Sequence, residues 1–294
     1  MDEQEWLANR FQEHRTHLRA VAYRMLGSLS DADDAVQEAW LRLDRSDTSD
    51  VENLGGWLTT VTARVCLNML RSRDQRREDP LDVHVPEPIL GHRDGVDPEH
   101  EVLLADAVGL ALLVVLETLA PAERLAFVLH DMFAVPFDDI APMLERTPAA
   151  ARQLASRARR RVQGAVPFPD ADLTRQRRVV DAFFEAARGG DFDALVAVLH
   201  PDVVLRADGG ALRPEASVLI RGARAVAGRA LTFAHLAPYV RPALVNGAAG
   251  VVVARHGQPV TVMGFTVADG MIVHIDALTD PARLSRLDLA VLED

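Results

Sequence analysis

Phe137-Asp-Asp-Ile-Ala-Pro-Met-Leu-Glu-Arg-Thr-Pro-Ala-Ala-Ala-Arg-Gln-Leu-Ala-Ser-Arg-Ala-Arg-Arg-Arg161 reads as a short helix, a tight turn and a second helix with arginines on its outer side. With Ala151 as origin and about 100° per residue, Leu154, Ala155, Ala158 and Val162 fall in one inner sector, and Gln153, Ser156, Arg157 and Arg160 lie opposite. Arg152 and Arg159 flank them. Small apolar residues let such a helix sit close on its partner, while the outer side chains meet phosphates and base edges. Thr147 suits the N-cap and Pro148 the first helical position. The pattern is that of a helix-turn-helix that places its second helix in a major groove. A helical hairpin with a solvated arginine face is the plainer alternative.

The setting is unusual, because the 294-residue chain carries a formal net charge of −11. That excludes a general nucleic-acid coat. The average conceals patches: Glu145–Arg161 holds six arginines and one acid, Arg71–Arg77 four and one, whereas acids outnumber bases twelve to six over Met1–Glu52. Lysine is absent, so all 32 basic residues are arginine. The single cysteine, Cys66, excludes an intramolecular disulfide and a cysteine-cluster metal site; in its mainly apolar helix it reads as a core residue rather than a redox sensor. No histidine spacing suggests metal ligands, and His84, His92 and His100 fall in a linker. No cofactor is expected. No apolar run approaches the ~18 residues of a membrane span, and the polar, acidic N-terminus lacks a signal-peptide pattern. The expectation is a cytoplasmic protein.

Working outward, residues 5–77 read as helical throughout. Phe11, Leu18, Val21, Ala22 and Met25 recur at helical spacing up to Gly27. A second helix starts at Asp31, and a third runs from Trp57 to about Arg77, apolar first and basic later, with Trp57 expected in the core. Prolines and glycines at 80–98 mark a linker whose apolar centre, Val83–Leu90, reads either as a semi-rigid connector or as a docking strip. Helices are expected from Glu101 to Leu119 and from Pro121 to Met132, ahead of the opening segment, and Val166-Pro-Phe-Pro-Asp170 ends the helical half. Beyond it, two helices (Arg175–Arg188 and Asp191–Leu199) precede strand-like runs at Val203–Arg206, Leu231–Phe233, Arg241–Val245, Gly250–Arg255, Val260–Val267 and Met271–Ala277. That is an α+β domain with antiparallel strands, and Ala268-Asp-Gly270 is a hairpin turn.

Asp31-Ala-Asp-Asp-Ala-Val-Gln-Glu-Ala-Trp-Leu-Arg42, Gly56-Trp-Leu-Thr-Thr-Val-Thr-Ala-Arg-Val-Cys-Leu-Asn-Met-Leu-Arg-Ser-Arg73 and Leu119-Ala-Pro-Ala-Glu-Arg-Leu-Ala-Phe-Val-Leu-His-Asp-Met-Phe133 with the helix-turn-helix after it resemble, in order, regions 2.2, 2.3–2.4 and 4 of bacterial extracytoplasmic-function (ECF) RNA polymerase sigma factors. The resemblance covers residues 5–165. It implies two all-α sigma domains, at 1–78 and 101–166, joined by a linker at 79–100. It implies as partners promoter DNA and the polymerase core, through the β′ clamp helices and the β flap. Asp31, Asp34, Gln37, Glu38 and Leu41, on one helical side, would meet the basic clamp helices. Asn68, Arg71, Arg73 and Arg76 would read the −10 element, with the loop 44–53 receiving a flipped base. Arg146, Thr147, Arg152, Gln153, Ser156, Arg157 and Arg160 would read the −35 element. Glu145 stands where the turn commonly has glycine.

Residues 172–294 resemble SnoaL-like domains of the NTF2-like α+β cone fold, an extension found in sigma-J-like members of the family. Val85-Pro-Glu-Pro-Ile-Leu90 resembles the proline motif of that subgroup, and Ala207-Asp-Gly-Gly210 its Asp-Gly-Gly loop; Ala211-Leu-Arg-Pro214 stands where a basic residue often follows. A regulatory interface of Pro86, Glu87 and Pro88 with Asp208, Gly209 and Gly210 is implied, acting in place of a separate anti-sigma protein. Enzymes of this fold place an Asp or His base in a pocket; Asp208, His235, Tyr239, His256 and Asp276 are the residues to weigh, with turn or salt-bridge roles favoured for the aspartates and a hairpin role for His256. The function expected is sigma-directed transcription initiation without catalysis. The alternatives are a ligand-responsive DNA-binding regulator and an enzymatic activity in the C-terminal domain.

Overall fold

A computed structural model describes residues 3–46, 51, 53–75, 83–91, 109–165 and 169–287. Arg76, residues 47–50 and 52 of the 44–53 loop, His92, His100, the expected helical stretch 101–108 and Val166-Pro-Phe168 lie outside them. The chain divides into two units, one comprising residues 1–79 and 115–165, the other 80–114 and 166–294.

The first unit is all helical. α1 (Glu3–Leu26), α2 (Leu29–Asp44) and α3 (Leu54–Gln75) pack on one another. Leu18, Val21, Met25, Ala32, Ala35, Leu43, Leu58 and Leu67 are their buried side chains, on the faces the periodicity marks. Ser28 caps α2 by accepting from the Asp31 N–H, and Arg19 clasps Asp33 with two nitrogens at 2.8 and 3.1 Å. The boundary between the units falls within α4 (Leu110–Glu117); after it come α5 (Pro121–Phe127) and a wide π turn over Val128–Met132. α6 (Phe137–Met143) and α7 (Pro148–Ala165) complete the unit. α5 packs on α3, and Arg124 reaches the carbonyl of Met25 at 2.8 Å. That guanidinium is buried, and burial brings its pKa down to about 10.

The second unit is α+β. α8 (Leu173–Gly189) and α9 (Phe192–Val198) are followed by β2 (Leu199–Asp208), β3 (Val218–Arg221), α10 (Ala223–Thr232), β4 (Val240–Val245), β5 (Ala248–Arg255), β6 (Gln258–Ala268), β7 (Met271–Leu278) and α11 (Pro281–Leu284). With β1 (Leu90–Gly91) the sheet order is β1-β4-β5-β6-β7-β2-β3. Asp172 and Asp191 cap α8 and α9, and the hairpins β4–β5, β5–β6 and β6–β7 turn on Asn246-Gly247, His256-Gly257 and Asp269-Gly270, all at positive φ. Phe183, Leu195, Val226, Phe265 and Ile275 form the core between helices and sheet. This is the α+β organisation expected from the order of helices and strands.

Two expectations fail. Leu231–Phe233 is no strand: Leu231 lies in α10 and Phe233 caps it, because Ala223-Arg-Ala-Val-Ala-Gly-Arg-Ala forms a helix with Val226 and Ala227 buried. Nor is the sheet wholly antiparallel, since β2 pairs with β7 in parallel. The long connection through β3, α10 and β4–β6 permits that pairing.

Candidate nucleic-acid interface and linker clamp

In the helix-turn-helix, α6 ends at Met143 with Leu144 as its C-cap, and Glu145 takes φ 55°, the left-handed turn a glycine commonly occupies. The Thr147 hydroxyl oxygen then accepts from the Ala150 N–H at 3.2 Å. Ala151, Ala155 and Ala158 are fully buried, and Leu154 and Val162 half-buried. Arg146, Thr147, Arg152, Gln153, Ser156, Arg157 and Arg160 are exposed. Three arginines of α7 are held from below. Arg157 pairs with Glu123 at 3.1 Å, and Arg161 shares that carboxylate at 3.1 Å. Arg159 pairs with Asp131. The Arg152 guanidinium lies 5.3 Å from the centre of the Phe137 ring, itself stacked on His130. The face is thus pre-shaped by partners on the preceding helices, and Glu123, which sequence reading passed over, anchors it.

On α2, Asp34, Gln37 and Leu41 are exposed and Asp31 and Glu38 half-buried. On α3, Asn68, Arg71 and Arg73 are exposed. The two sets meet. Arg73 pairs with Asp31 at 2.5 Å and also reaches the Leu26 carbonyl, and a cleft between the helices is lined by Asp31, Glu38, Arg42, Asn68 and Arg73. Glu38 pairs with Arg42 at 2.9 Å. Trp57 is half-buried at the start of α3, and Cys66 is buried in it. Burial pushes that thiol up to about 12, so it carries no thiolate at neutral pH.

The apolar strip 83–91 docks on the C-terminal sheet. Its Val85 peptide is gripped on both sides: the N–H donates to Asp208 Oδ2 at 3.0 Å, and the carbonyl accepts from Arg283 Nη2 at 2.5 Å. Arg283 Nη1 closes the triangle on Asp208 Oδ2 at 2.8 Å. Four residues on, the Ile89 N–H donates to Asn246 Oδ1 at 3.0 Å, and the Asn246 N–H returns a bond to the Ile89 carbonyl at 2.8 Å. Leu90 and Gly91 then pair with Val245 and Leu244. Val85, Pro86, Pro88 and Ile89 are buried, and Glu87 is half-buried. Burial raises the Asp208 pKa, but bonds from His84, Val85 and Gly210 outweigh it and bring the group down to about 2. The glycines have steric reasons: a Cβ on Gly209 would run into the Arg213 carbonyl, and Gly210, at φ 68°, faces Asp280. Of the expected interface, Asp208 meets the strip at Val85, while the Gly209 N–H donates to Ser217 and the Gly210 N–H to Asp208. Arg283 and Asn246 were not foreseen.

The enzyme-type residues do not converge. Asp276 is buried and pairs with Arg206 at 2.8 Å; burial pushes its pKa up to about 6 against the pull of that arginine. His256 occupies a hairpin turn, and His235 is exposed. Among the described residues, no cluster of His, Cys, Asp or Glu could hold a metal ion, and no helix is long and apolar enough to cross a membrane.

Residues 10–76 match the Sigma-70 region 2 family and residues 109–162 the Sigma-70 region 4 family. The chain is 45% identical over 214 residues to the ECF RNA polymerase sigma factor SigJ of Mycobacterium tuberculosis, covering 72% of this chain and 68% of that one. It belongs to the ECF RNA polymerase sigma factors. It is also 35% identical over 278 residues, 94% of each chain, to a probable ECF sigma factor, SigI, of the same species. The crystal structure of M. tuberculosis SigJ superposes with a TM-score of 0.77 at 34% identity, over 96% of this chain and 99% of that one.

Proposed function

We propose that this ECF sigma factor brings core RNA polymerase to promoters through the surfaces described above, and that its C-terminal domain tunes the step by holding the linker. The carrying observation is the α7 face: a capped helix seated on alanines, with Arg152, Gln153, Ser156 and Arg160 exposed together. In this reading α7 enters the −35 major groove. The exposed side of α2 meets the polymerase clamp, where its carboxylates suit a basic partner and would repel DNA. The polymerase thereby delivers an acidic chain to an acidic polymer.

The linker at 79–100 joins the two promoter-reading domains, at 1–78 and 101–166, so a strip clamped at Val85 and Ile89 shortens the free tether between them. The domain at 172–294 then acts on promoter engagement without catalysis, in the cytoplasm, and needs no separate anti-sigma protein. The test is run-off transcription with core polymerase and the full chain, comparing wild type with Asp208→Ala, Asn246→Ala and the double variant. A change in transcript yield that grows from single to double variants supports tuning. Equal yields from all four, with the strip shown to be released, refute it. The absence of any transcript above core polymerase alone refutes the sigma role.

A further inference from the structure

The C-terminal domain encloses a cavity of about 270 Å³, near the lower end of small-molecule pockets, which start at roughly 300 Å³. Its walls are apolar, with Phe183, Phe184, Leu205 and Met263 among them. The two threonines that line it are committed: Thr261 donates its hydroxyl to the Leu278 carbonyl at 3.0 Å, and Thr279 to the Asp208 carbonyl at 2.9 Å. Among the described residues, no acid, histidine, cysteine, serine or tyrosine lines the space. Strand alternation explains why. Leu205 and Ala207 of β2 and Ala277 of β7 face the cavity, so Arg206 and Asp276 point to the other side of the sheet, where they pair. The described lining therefore offers no general base and no nucleophile, and it suits holding a molecule rather than turning it over.

Two charged groups do line it, and both are cations. Arg213 is exposed, at the rim; Arg229 is half-buried, its guanidinium 4.6 Å from the centre of the Phe233 ring. No carboxylate among the lining residues balances them. A guanidinium pair beside an apolar chamber suits a ligand with a hydrocarbon body and one anionic end, since arginine receives carboxylates with paired N–H donors.

We propose that this cavity is a binding site for a small apolar monocarboxylic acid, read by Arg213 and Arg229. The proposal does not depend on the linker clamp, and it stands on binding alone. The test is isothermal titration of the full-length chain at pH 7 with 2-naphthoate and with its neutral isostere 2-naphthamide. The carboxylate is expected to bind at least tenfold more tightly. Arg213→Gln with Arg229→Gln should erase that preference while leaving the amide's affinity within about twofold. Ala230→Phe, placed on the lining, should abolish binding of both, and circular dichroism would verify that each variant is folded. Equal affinity for acid and amide in the wild type overturns the proposal. So does a preference that survives the double arginine variant, or the absence of saturable binding of either probe at millimolar concentration.

Discussion

Replacing Asp208 with alanine removes, in one step, the acceptor of the Val85 N–H and the partner of Arg283. The magnitude can be reached by two routes. A hydrogen bond to an ionised, mostly buried group contributes about 1.5–3 kcal/mol. Independently, a carboxyl moved from 3.8 down to about 2 by its folded surroundings corresponds to roughly 2.5 kcal/mol. Taking about 2 kcal/mol as the share that holds the strip, the Val85 amide should lose protection from hydrogen exchange by ~30-fold in Asp208→Ala. The Ile89 amide, held by Asn246, should lose much less. The sign with pH is fixed. Because the folded pKa is depressed, the stabilisation is complete above about pH 4 and disappears as pH falls from there towards about 2. The assay is residue-resolved exchange on the full chain, corrected for intrinsic rates, at pH 7 and along an acid series. Val85 protection within threefold of wild type in Asp208→Ala, or wild-type protection unchanged down to pH 2, would refute the clamp.

Arg160→Ala should weaken holoenzyme binding at the −35 element and make the salt slope of log K shallower by about 0.9, one phosphate contact; an unchanged slope in a salt titration counts against that contact. Glu145→Gly should stabilise the helical unit by up to about 1 kcal/mol by relieving a left-handed side chain, and urea denaturation would measure it. Thr147→Ala should cost about 1 kcal/mol through loss of the α7 cap, read in the same way. Cys66, with its thiol pushed up to about 12, should resist iodoacetamide at pH 8 in the native chain and react only on unfolding; rapid native alkylation detected by mass spectrometry would contradict its burial.

The sequence made the helical half readable because its signals are local. The 3.6-residue spacing of Leu18, Val21 and Met25, the Thr147-Pro148 start and the alanine stripe of α7 each act within one helix. Whether Arg73 points to solvent or to Asp31 depends on the docking of α3 against α2, which no local pattern encodes. Ala223–Thr232 misled because alanine and valine serve a buried helix as well as a strand, and Leu231-Thr-Phe233 offers no period long enough to decide. In the linker, proline spacing marked an extended strip, but its two clamps join residues far apart in the chain: Val85 with Asp208 and Arg283, Ile89 with Asn246. Asn246-Gly247 could be read as a hairpin turn, yet nothing in it announces that the Asn246 side chain faces the strip. The residues after the Asp-Gly-Gly loop lack the basic residue that often follows it in the family, and the cation on Asp208 comes from Arg283 on α11, far along the chain.

The central claim is that this chain selects promoters as a sigma factor, with α7 reading the upstream block. Promoters recovered from a randomised DNA library by in-vitro transcription, with core polymerase and the full-length chain, test it most directly. The account predicts two conserved blocks in the recovered sequences. Holoenzyme carrying Arg152→Ala and Arg160→Ala should lose the upstream block and keep the downstream one. Recovery of no motif above core polymerase alone, or an upstream block undisturbed by the arginine variants, would contradict it.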